Sequence, residues 1–108
     1  MRAEIAKVLF CIMILTTTQN IEGRTITEYV GVVSGEAFEN QAFRGHRSFV
    51  PTLSKARTMA LSQLEEQAVN LGADAVVGIS IDFEMIDTSS GILVYASGTA
   101  VKTELNKD

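Results

Sequence analysis

The stretch Leu71-Gly72-Ala73-Asp74-Ala75-Val76-Val77-Gly78-Ile79 marks the point where a helical pattern ends and a strand pattern begins. Before it, apolar residues recur every three or four positions from Leu53 to Leu71, a spacing that predicts one apolar stripe along a helix. Gly72 stands where a helix is expected to end in a left-handed C-cap. After it, residues 75–86 alternate in the manner of a strand. The junction therefore predicts a helix that packs on a β-sheet.

Two more strands are predicted on either side of this unit. Residues 25–33 are rich in β-branched side chains and predict a strand, and residues 36–51 predict a connecting loop. Residues 87–91 predict a turn, after which residues 92–103 predict an antiparallel strand. The expected fold class is α+β, a β-α-β-β subunit with one helix on a three-stranded, mainly antiparallel sheet. A short N-terminal strand is expected ahead of it.

Local rules also predict the helix start and the facing of the strand that follows. Pro51 or Thr52 is expected to open the helix, with Thr52 or Ser54 as the cap that accepts a hydrogen bond from a free amide. Strict alternation assigns the residues of the following strand to two faces. The first face holds Ala75, Val77, Ile79, Ile81, Phe83 and Met85, and the second holds Val76, Gly78, Ser80, Asp82, Glu84 and Ile86.

Both faces of the predicted sheet carry apolar side chains. Val32 and Ile79 fall on one parity, and Val33 and Val76 fall on the other. One helix covers only one face of a sheet, and an apolar face is not expected to stay in contact with water on a monomer. We therefore expect the chain to form a homo-oligomer, which is the usual way to cover such a face.

Composition limits the class of protein. The chain has 108 residues, a formal net charge of −4 and one cysteine. This length fits one domain with a modest core. The negative charge and the lack of a basic stripe argue against nucleic acid as a partner. A single cysteine excludes an internal disulfide and a Cys-x-x-Cys site, and it is consistent with a reducing cytoplasm.

The N-terminus has two interpretations. Residues 8–15 form an apolar run that is far shorter than the ~20 residues needed to span a bilayer, so no membrane span is expected. As a signal peptide, the segment has an acidic Glu4 near its start and no Ala-x-Ala-like cleavage site. The alternative makes residues 1–12 an N-terminal extension, with Met13 as the true start. We expect a cytoplasmic protein.

Several short motifs follow one another along residues 13–103 in an order that is more specific than any one of them. They are Thr16-Thr17-Thr18 with Gly23, Glu28-Tyr29-Val30-Gly31-Val32-Val33-Ser34-Gly35-Glu36-Ala37, Lys55-Ala56-Arg57, the 71–79 stretch quoted above, Ile81-Asp82-Phe83-Glu84, and Ser97-Gly98-Thr99-Ala100-Val101. In this combination the chain resembles the YbjQ-like family of small, uncharacterised bacterial proteins. The resemblance implies dodecin-type β-α-β-β subunits that assemble into homopentamers. It also implies the family's label of heavy-metal binding.

The resemblance further implies a division of the chain. A YbjQ-like domain is expected over residues 13–104, with residues 1–12 as an extension and residues 105–108 as a C-terminal tail. The segment between Ala37 and Lys55 is shorter than is usual in the family. Ser80 stands where the family usually has an aspartate, which removes one carboxylate from a candidate site.

The candidate metal ligands are Asp82, Glu84 and His46. Asp82 and Glu84 share a strand face about 7 Å apart, and paired carboxylates can bind a hard cation or transfer protons. The alternative is a solvated pair or a pair at the rim of an interface, with Asp82 bonded to a neighbouring subunit. His46 supplies one imidazole per subunit, which becomes a ring in an oligomer, but a lone histidine in a loop is more often a solvated side chain. Cys11 is expected to be a small buried apolar residue or a residue of a disordered tail, rather than a ligand.

Other singled-out residues have structural explanations. Asp74 follows the predicted C-cap and is expected to close a turn through its side chain. Gly31, Gly78 and Gly98 interrupt strand patterns, which indicates close approach of the helix or of a ligand, and packing of the alanine-rich helix explains them without a ligand. The predicted loop has two interpretations. It binds an anion or a protein partner, or its aromatic side chains hold it against the core. The residues concerned are Phe38, Phe43, Phe49, Arg44 and Arg47.

These observations favour a binding module over an enzyme. The chain has no nucleophile–base pair, no phosphate-binding loop and no dense metal-ligand cluster in its sequence. We expect a homo-oligomeric module that binds a metal ion or another small ligand at a subunit interface, with no catalytic residues. The alternative is a structural scaffold that recruits another protein without a small ligand.

Overall fold

The structure, a computed structural model, describes residues 13–40, 49–87 and 91–106. In these residues one α-helix packs on one face of a four-stranded sheet, which confirms the α+β class. The predicted short N-terminal strand is a member of the sheet, so the sheet has four strands where three were expected. The elements are β1 (Ile14–Leu15), β2 (Arg24–Asn40), α1 (Phe49–Asn70), β3 (Ala75–Asp87) and β4 (Gly91–Leu105).

The strands lie in the order β1-β3-β4-β2. β4 is antiparallel to both of its neighbours, β3 and β2, whereas β1 pairs in parallel with the first two residues of β3. Consequently β2 and β3 run in the same direction on either side of β4. No helix in the described ranges is long and apolar enough to cross a lipid bilayer.

β2 is longer than predicted. It continues through Gly35 to Asn40, which pairs with Gly91 at the start of β4. The prediction of a loop over residues 36–51 is therefore wrong at both ends, where β2 and the helix extend into it. Residues 41–48 lie outside the described residues. The middle of the predicted 87–91 turn lies outside them as well. The helix begins at Phe49, so Thr52 and Ser54 lie inside it and are not its caps.

The end of α1 matches the prediction. Gly72 has a φ of 83°, the left-handed conformation that a C-cap requires. The amide of Gly72 donates to the carbonyl of Val69 at 2.9 Å, and the amide of Ala73 donates to the carbonyl of Ala68 at 3.0 Å. This pair of bonds is the Schellman arrangement, which satisfies the last carbonyls of the helix.

The core lies between α1 and the strands β2, β3 and β4. Small helix residues permit a close approach, since Ala56, Ala60 and Ala68 are fully buried together with Leu64. A separate apolar cluster lies on the opposite side of the sheet at one end, where the chain from β1 into β2 folds across it. Its members are Ala75, Val77 and Val101, with Ile14, Ile21 and Ile26 packed against them.

A β-bulge at Gly78 changes the facing of β3. Val77 pairs with Thr99 and Ser80 pairs with Ser97, so β3 spends three residues where β4 spends two. Gly78 has a φ of 63°, and its amide donates to the carbonyl of Thr18 at 2.8 Å. Because side chains alternate with a period of two, the extra residue reverses the facing of all later residues.

The predicted alternation along β3 is therefore wrong across the bulge. Val76 and Ile79 belong to the same core cluster under the helix, although strict alternation puts them on different faces. Ile81, Phe83 and Met85 share the helix side of the sheet with Val76. Asp82 and Glu84 share the opposite side with Ala75 and Val77.

Candidate functional site

The candidate site lies on the sheet face opposite α1, and its strands bring side chains together in rows. Residues that pair across strands point to the same face of a sheet. We call the following residues the outer face: Ser34, Ser97 and Ser80 in one row, Glu36, Tyr95 and Asp82 in the next, and Phe38, Leu93 and Glu84 in the third.

Tyr95 is the centre of the outer face. It pairs with Glu36 of β2 on one side and with Asp82 of β3 on the other. Strand spacing puts these two carboxylates about 10 Å apart across the ring, whereas Asp82 and Glu84 are about 7 Å apart along one strand. All three carboxylates are exposed. The outer face therefore presents three acidic groups around one phenol.

Lys55 and Lys102 pair with carboxylates outside the outer face. The ion pairs among the described residues join Lys55 to Glu39 at 3.7 Å and Lys102 to Glu28 at 3.8 Å. Neither pair includes Asp82 or Glu84. The carboxylates of the outer face accordingly leave a local excess of negative charge, which attracts cations.

The donor chemistry of this face suits some cations better than others. Carboxylate oxygens are the ligands of hard cations such as Ca²⁺, Mg²⁺ and Mn²⁺, whereas soft heavy metals prefer thiolate and imidazole. The described part of the chain contains no cysteine or histidine, and no group of three metal-ligating side chains within it could hold an ion. On these residues alone, one subunit does not fit a soft heavy metal.

Of the other residues singled out in the sequence, most cannot be placed and Phe38 lies in a strand. His46 and Cys11 lie outside the described residues, as do Phe43, Arg44 and Arg47. Phe38, which was expected in a loop, lies on β2 and contributes to the outer face.

Sequence reasoning missed Glu36 and Tyr95 as neighbours of Asp82. The sequence predicts that the strand ends near Gly35, because glycine often ends a strand, and so places Glu36 in a loop instead of on the sheet. Tyr95 was included in a predicted strand, but its partners depend on register. The signal that was available is the alternation of small and large residues from Val33 to Phe38, which continues the strand pattern.

Solved structures include one with the same fold. A protein of unknown function of the DUF74 family from Pediococcus pentosaceus ATCC 25745 superimposes with a TM-score of 0.72. The two proteins are 20% identical, and the match covers 85% of this chain and 98% of that chain. At this identity the likeness shows the fold alone.

The family comparison covers most of the chain. The model of the YbjQ family, described as "Putative heavy-metal-binding", matches residues 13–104. That match confirms the resemblance carried by the motifs from Thr16 to Val101, and this chain belongs to the YbjQ family.

Proposed function

We propose that this chain is a homo-oligomeric binding module, a pentamer by family resemblance, that holds a metal ion or another small ligand between subunits. It catalyses no reaction in this proposal. The family's description as heavy-metal-binding supports the ligand class, and the single cysteine supports a cytoplasmic location.

The observation that carries the proposal is the exposure of large apolar residues on the sheet side away from α1. Tyr29 is 70% exposed, Val32 is 79% exposed and Phe38 is 51% exposed. They lie on the same side as Asp82 and Glu84, by the pairing of β2 with β4 and of β4 with β3. A second copy that covers this side removes apolar surface from water, which favours association.

Association also supplies what one subunit lacks. Asp82 and Glu84 provide two carboxylates, and a metal ion needs more ligands than one exposed pair. Copies around a symmetry axis repeat each ligand, so one pair per subunit becomes a ring of carboxylates. His46 adds an imidazole per subunit in the same proposal, which widens the set of metals that the assembly accepts.

The first experiment is native mass spectrometry of untagged protein purified without chelator, together with calorimetric titration with Mn²⁺, Ca²⁺ and Zn²⁺. We expect an oligomer that binds at least one of these ions. Asp82→Asn/Glu84→Gln should weaken binding of the hard cations at least tenfold, and His46→Ala should act selectively on Zn²⁺. A matched control is Glu66→Gln/Glu104→Gln, which removes two exposed carboxylates outside the outer face.

The outcomes separate the parts of the proposal. A wild-type monomer at all accessible concentrations contradicts the oligomeric module. An oligomer that binds each ion equally well in the wild type and in the Asp82/Glu84 variant contradicts the assignment of these carboxylates. Equal losses in the variant and in the control would mean that net charge alone attracts the ions.

One observation favours the scaffold as a second candidate function. The described residues of one subunit contain no group of three metal-ligating side chains, so these residues alone do not form a site. A scaffold needs only an assembly and an exposed surface. An oligomer that carries no extra mass and binds none of the tested ions, but retains a protein partner, would replace ligand binding with recruitment.

A further inference from the structure

The bulge in β3 directs two backbone amides towards the chain that follows β1. In a regular parallel ladder, where the bonds are evenly spaced, the carbonyl of Thr16 would accept from the amide of residue 78. It accepts instead from the amide of Ile79 at 3.1 Å, and the amide of Gly78 donates to the carbonyl of Thr18 at 2.8 Å. A bulge disrupts the ladder locally, and a buried amide without an acceptor is unfavourable. The carbonyls of Thr16 and Thr18 supply the two acceptors.

The hydroxyl groups of Thr16 and Thr18 fix the shape of residues 16–20, which we call the threonine loop. The amide of Thr18 donates to Oγ1 of Thr16 at 3.1 Å, and Oγ1 of Thr18 donates to the carbonyl of Asn20 at 2.7 Å. The two Oγ1 atoms are 2.8 Å apart. A hydroxyl carries one proton, so Thr16 is the donor between these two oxygens. This chain of bonds holds the backbone of Thr18, whose carbonyl accepts from Gly78.

Apolar side chains hold the bulge from the helix side. Val76 and Ile79 both belong to the core cluster under α1. They meet over Gly98 of β4, where a Cβ would lie 2.7 Å from Cγ1 of Val76 and 3.0 Å from Cγ1 of Ile79. Gly98 therefore makes room for the bulge and not for the helix. The bulge is thus held by packing under the helix and by hydrogen bonds to the threonine loop.

Beyond the bulge, burial alone does not decide which side of the sheet the residues of β3 face. On the helix side, Ile81 is 38% exposed and Met85 is 48% exposed. On the outer face, Asp82 and Glu84 are exposed as well. Register is strongly specified where one face of a strand is buried, and only weakly where neither is. The facing of these two carboxylates therefore follows from the bulge, which sets the alternation of every later residue.

We propose that the hydroxyls of Thr16 and Thr18 are positioning groups for the carboxylates of β3. They hold the two carbonyls that bond the bulge, and the bulge keeps Asp82 and Glu84 on the outer face. The threonines touch no ligand. The inference rests on the proposed function, because it assigns residues that support the same site. It also gives a role to a threonine motif that lies outside the outer face.

The test compares three variants of the full chain. Thr16→Val/Thr18→Val removes both hydroxyls and keeps the branched shape of the side chains, whereas Thr16→Ser/Thr18→Ser keeps the hydroxyls. Thr17→Val is the matched control, since Thr17 is exposed and its hydroxyl makes no hydrogen bond with the described residues. Circular dichroism and thermal unfolding check the fold. Thr18→Val alone, at an exposed position, replaces the valine double variant if that variant does not fold.

Hydrogen exchange resolved to single amides measures the state of the bulge. In the valine double variant the amides of Gly78 and Ile79 should exchange about tenfold faster than in the wild type, because their acceptors are no longer held in place. The serine double variant and Thr17→Val should exchange at the wild-type rate. Wild-type protection of both amides in the valine double variant would show that the hydroxyls do not hold the bulge, and the inference would be wrong.

Calorimetric titration with Mn²⁺ measures the consequence for the carboxylates. The valine double variant should bind Mn²⁺ about tenfold more weakly than the wild type, a loss typical of groups that orient ligands without contacting the ion. The serine double variant should bind as the wild type does. Faster exchange at the bulge with unchanged Mn²⁺ affinity would overturn the inference. So would an equal loss in Thr17→Val, because the effect would then not belong to the two bonded hydroxyls.

Contacts between Asp82 and Tyr95 in NMR spectra provide a measurement that does not depend on ion binding. The two residues pair across β3 and β4, so nuclear Overhauser contacts between their side chains report that Asp82 faces outward. These contacts should weaken in the valine double variant and persist in the serine double variant. If the wild type binds no ion but the contacts respond in this way, the proposed function fails and the positioning role is supported. If the wild type binds Mn²⁺ and the contacts do not change, this inference alone fails.

Discussion

Gly35 of β2 lies directly against the backbone of Ala60 in α1, so closely that a Cβ on Gly35 would overlap the carbonyl oxygen of Ala60. The obstacle is backbone and not the end of a flexible side chain. Helix and strand therefore meet with no side chain between them at this point. Gly35, and not Gly31 or Gly98, is the strand glycine that the helix approaches.

Gly35→Ala should destabilise the protein by about 1–3 kcal/mol, because α1 must move away from β2 to admit one methyl group. Urea unfolding followed by circular dichroism measures this loss. Gly31→Ala is the matched control, since only Leu71 Cδ1 at 3.9 Å is near its Cβ position. An equal effect of both substitutions would show that backbone freedom of the strand, not helix contact, sets the cost.

The amide of Ser34 in β2 donates to Oε1 of Gln67 in α1 at 2.9 Å. Gln67→Leu should leave this amide without its acceptor. The bond is on the surface, so the loss of stability should be about 0.5–1.5 kcal/mol. Hydrogen exchange at the Ser34 amide should become faster than in the wild type. Gln67→Glu keeps an oxygen acceptor and should preserve protection, whereas equally fast exchange in both variants would mean that the side chain of Gln67 does not protect the Ser34 amide.

Gly78→Ala should cost about 1 kcal/mol or more, because a φ of 63° is unfavourable for a residue with a Cβ. Space is not the obstacle, since the nearest atom to that Cβ is a side-chain nitrogen of Gln19 at 3.5 Å. Gly78→Asn should cost less, because asparagine tolerates the left-handed region. Thermal unfolding ranks the three proteins, and an alanine variant as stable as the wild type would contradict a required positive φ.

Asp74 and Thr103 should be energetically coupled. The two oxygens of Asp74 accept from the Thr103 amide at 3.1 and 3.2 Å, and Oδ1 accepts from the Thr103 hydroxyl at 3.1 Å. Asp74→Ala should lose about 1–3 kcal/mol, because a largely buried amide and hydroxyl lose their partner. A double-mutant cycle with Thr103→Val isolates the hydroxyl bond, and simple additivity would show that this bond contributes nothing.

The network around Thr103 also corrects an expectation about Asp74. The sequence predicts that this residue closes its own turn, but its carboxylate crosses to β4, and Arg24 Nε donates to the same hydroxyl at 2.7 Å. The bonded partners lie far apart in the chain. Spacing rules are local and could not pair them.

The parts that could be predicted were those with local causes. The glycine cap at Gly72 and most of the helix stripe follow from backbone conformation and periodicity, and the structure confirms them at Gly72, Ala56, Ala60, Leu64 and Ala68. Leu71, the last predicted member of the stripe, follows the end of the helix and is exposed. The full length of β2 was not predicted, because a glycine at position 35 suggests the end of a strand. The structure shows that this glycine instead allows α1 to pack closely on β2. A glycine that ends a strand and one that admits a helix look alike in a sequence.

The candidate site was predicted only in part. Asp82 and Glu84 share a face because the two residues lie after the bulge, so their relative placement survived the reversal. Their neighbours Glu36 and Tyr95 could not be predicted, because their positions next to Asp82 depend on the register of three strands. His46 and Cys11 remain untested predictions because they lie outside the described residues.

The bulge at Gly78 makes the count of residues in β3 as important as their identity. Deleting this one residue would exchange the two sides of the strand after it, moving the acidic groups to the helix side of the sheet and the apolar groups to the acidic surface. A substitution in β3 changes one side chain, whereas the insertion or deletion of one residue moves every later side chain of the strand to the opposite face of the sheet. Related proteins that diverge freely in composition should therefore keep the length of this strand.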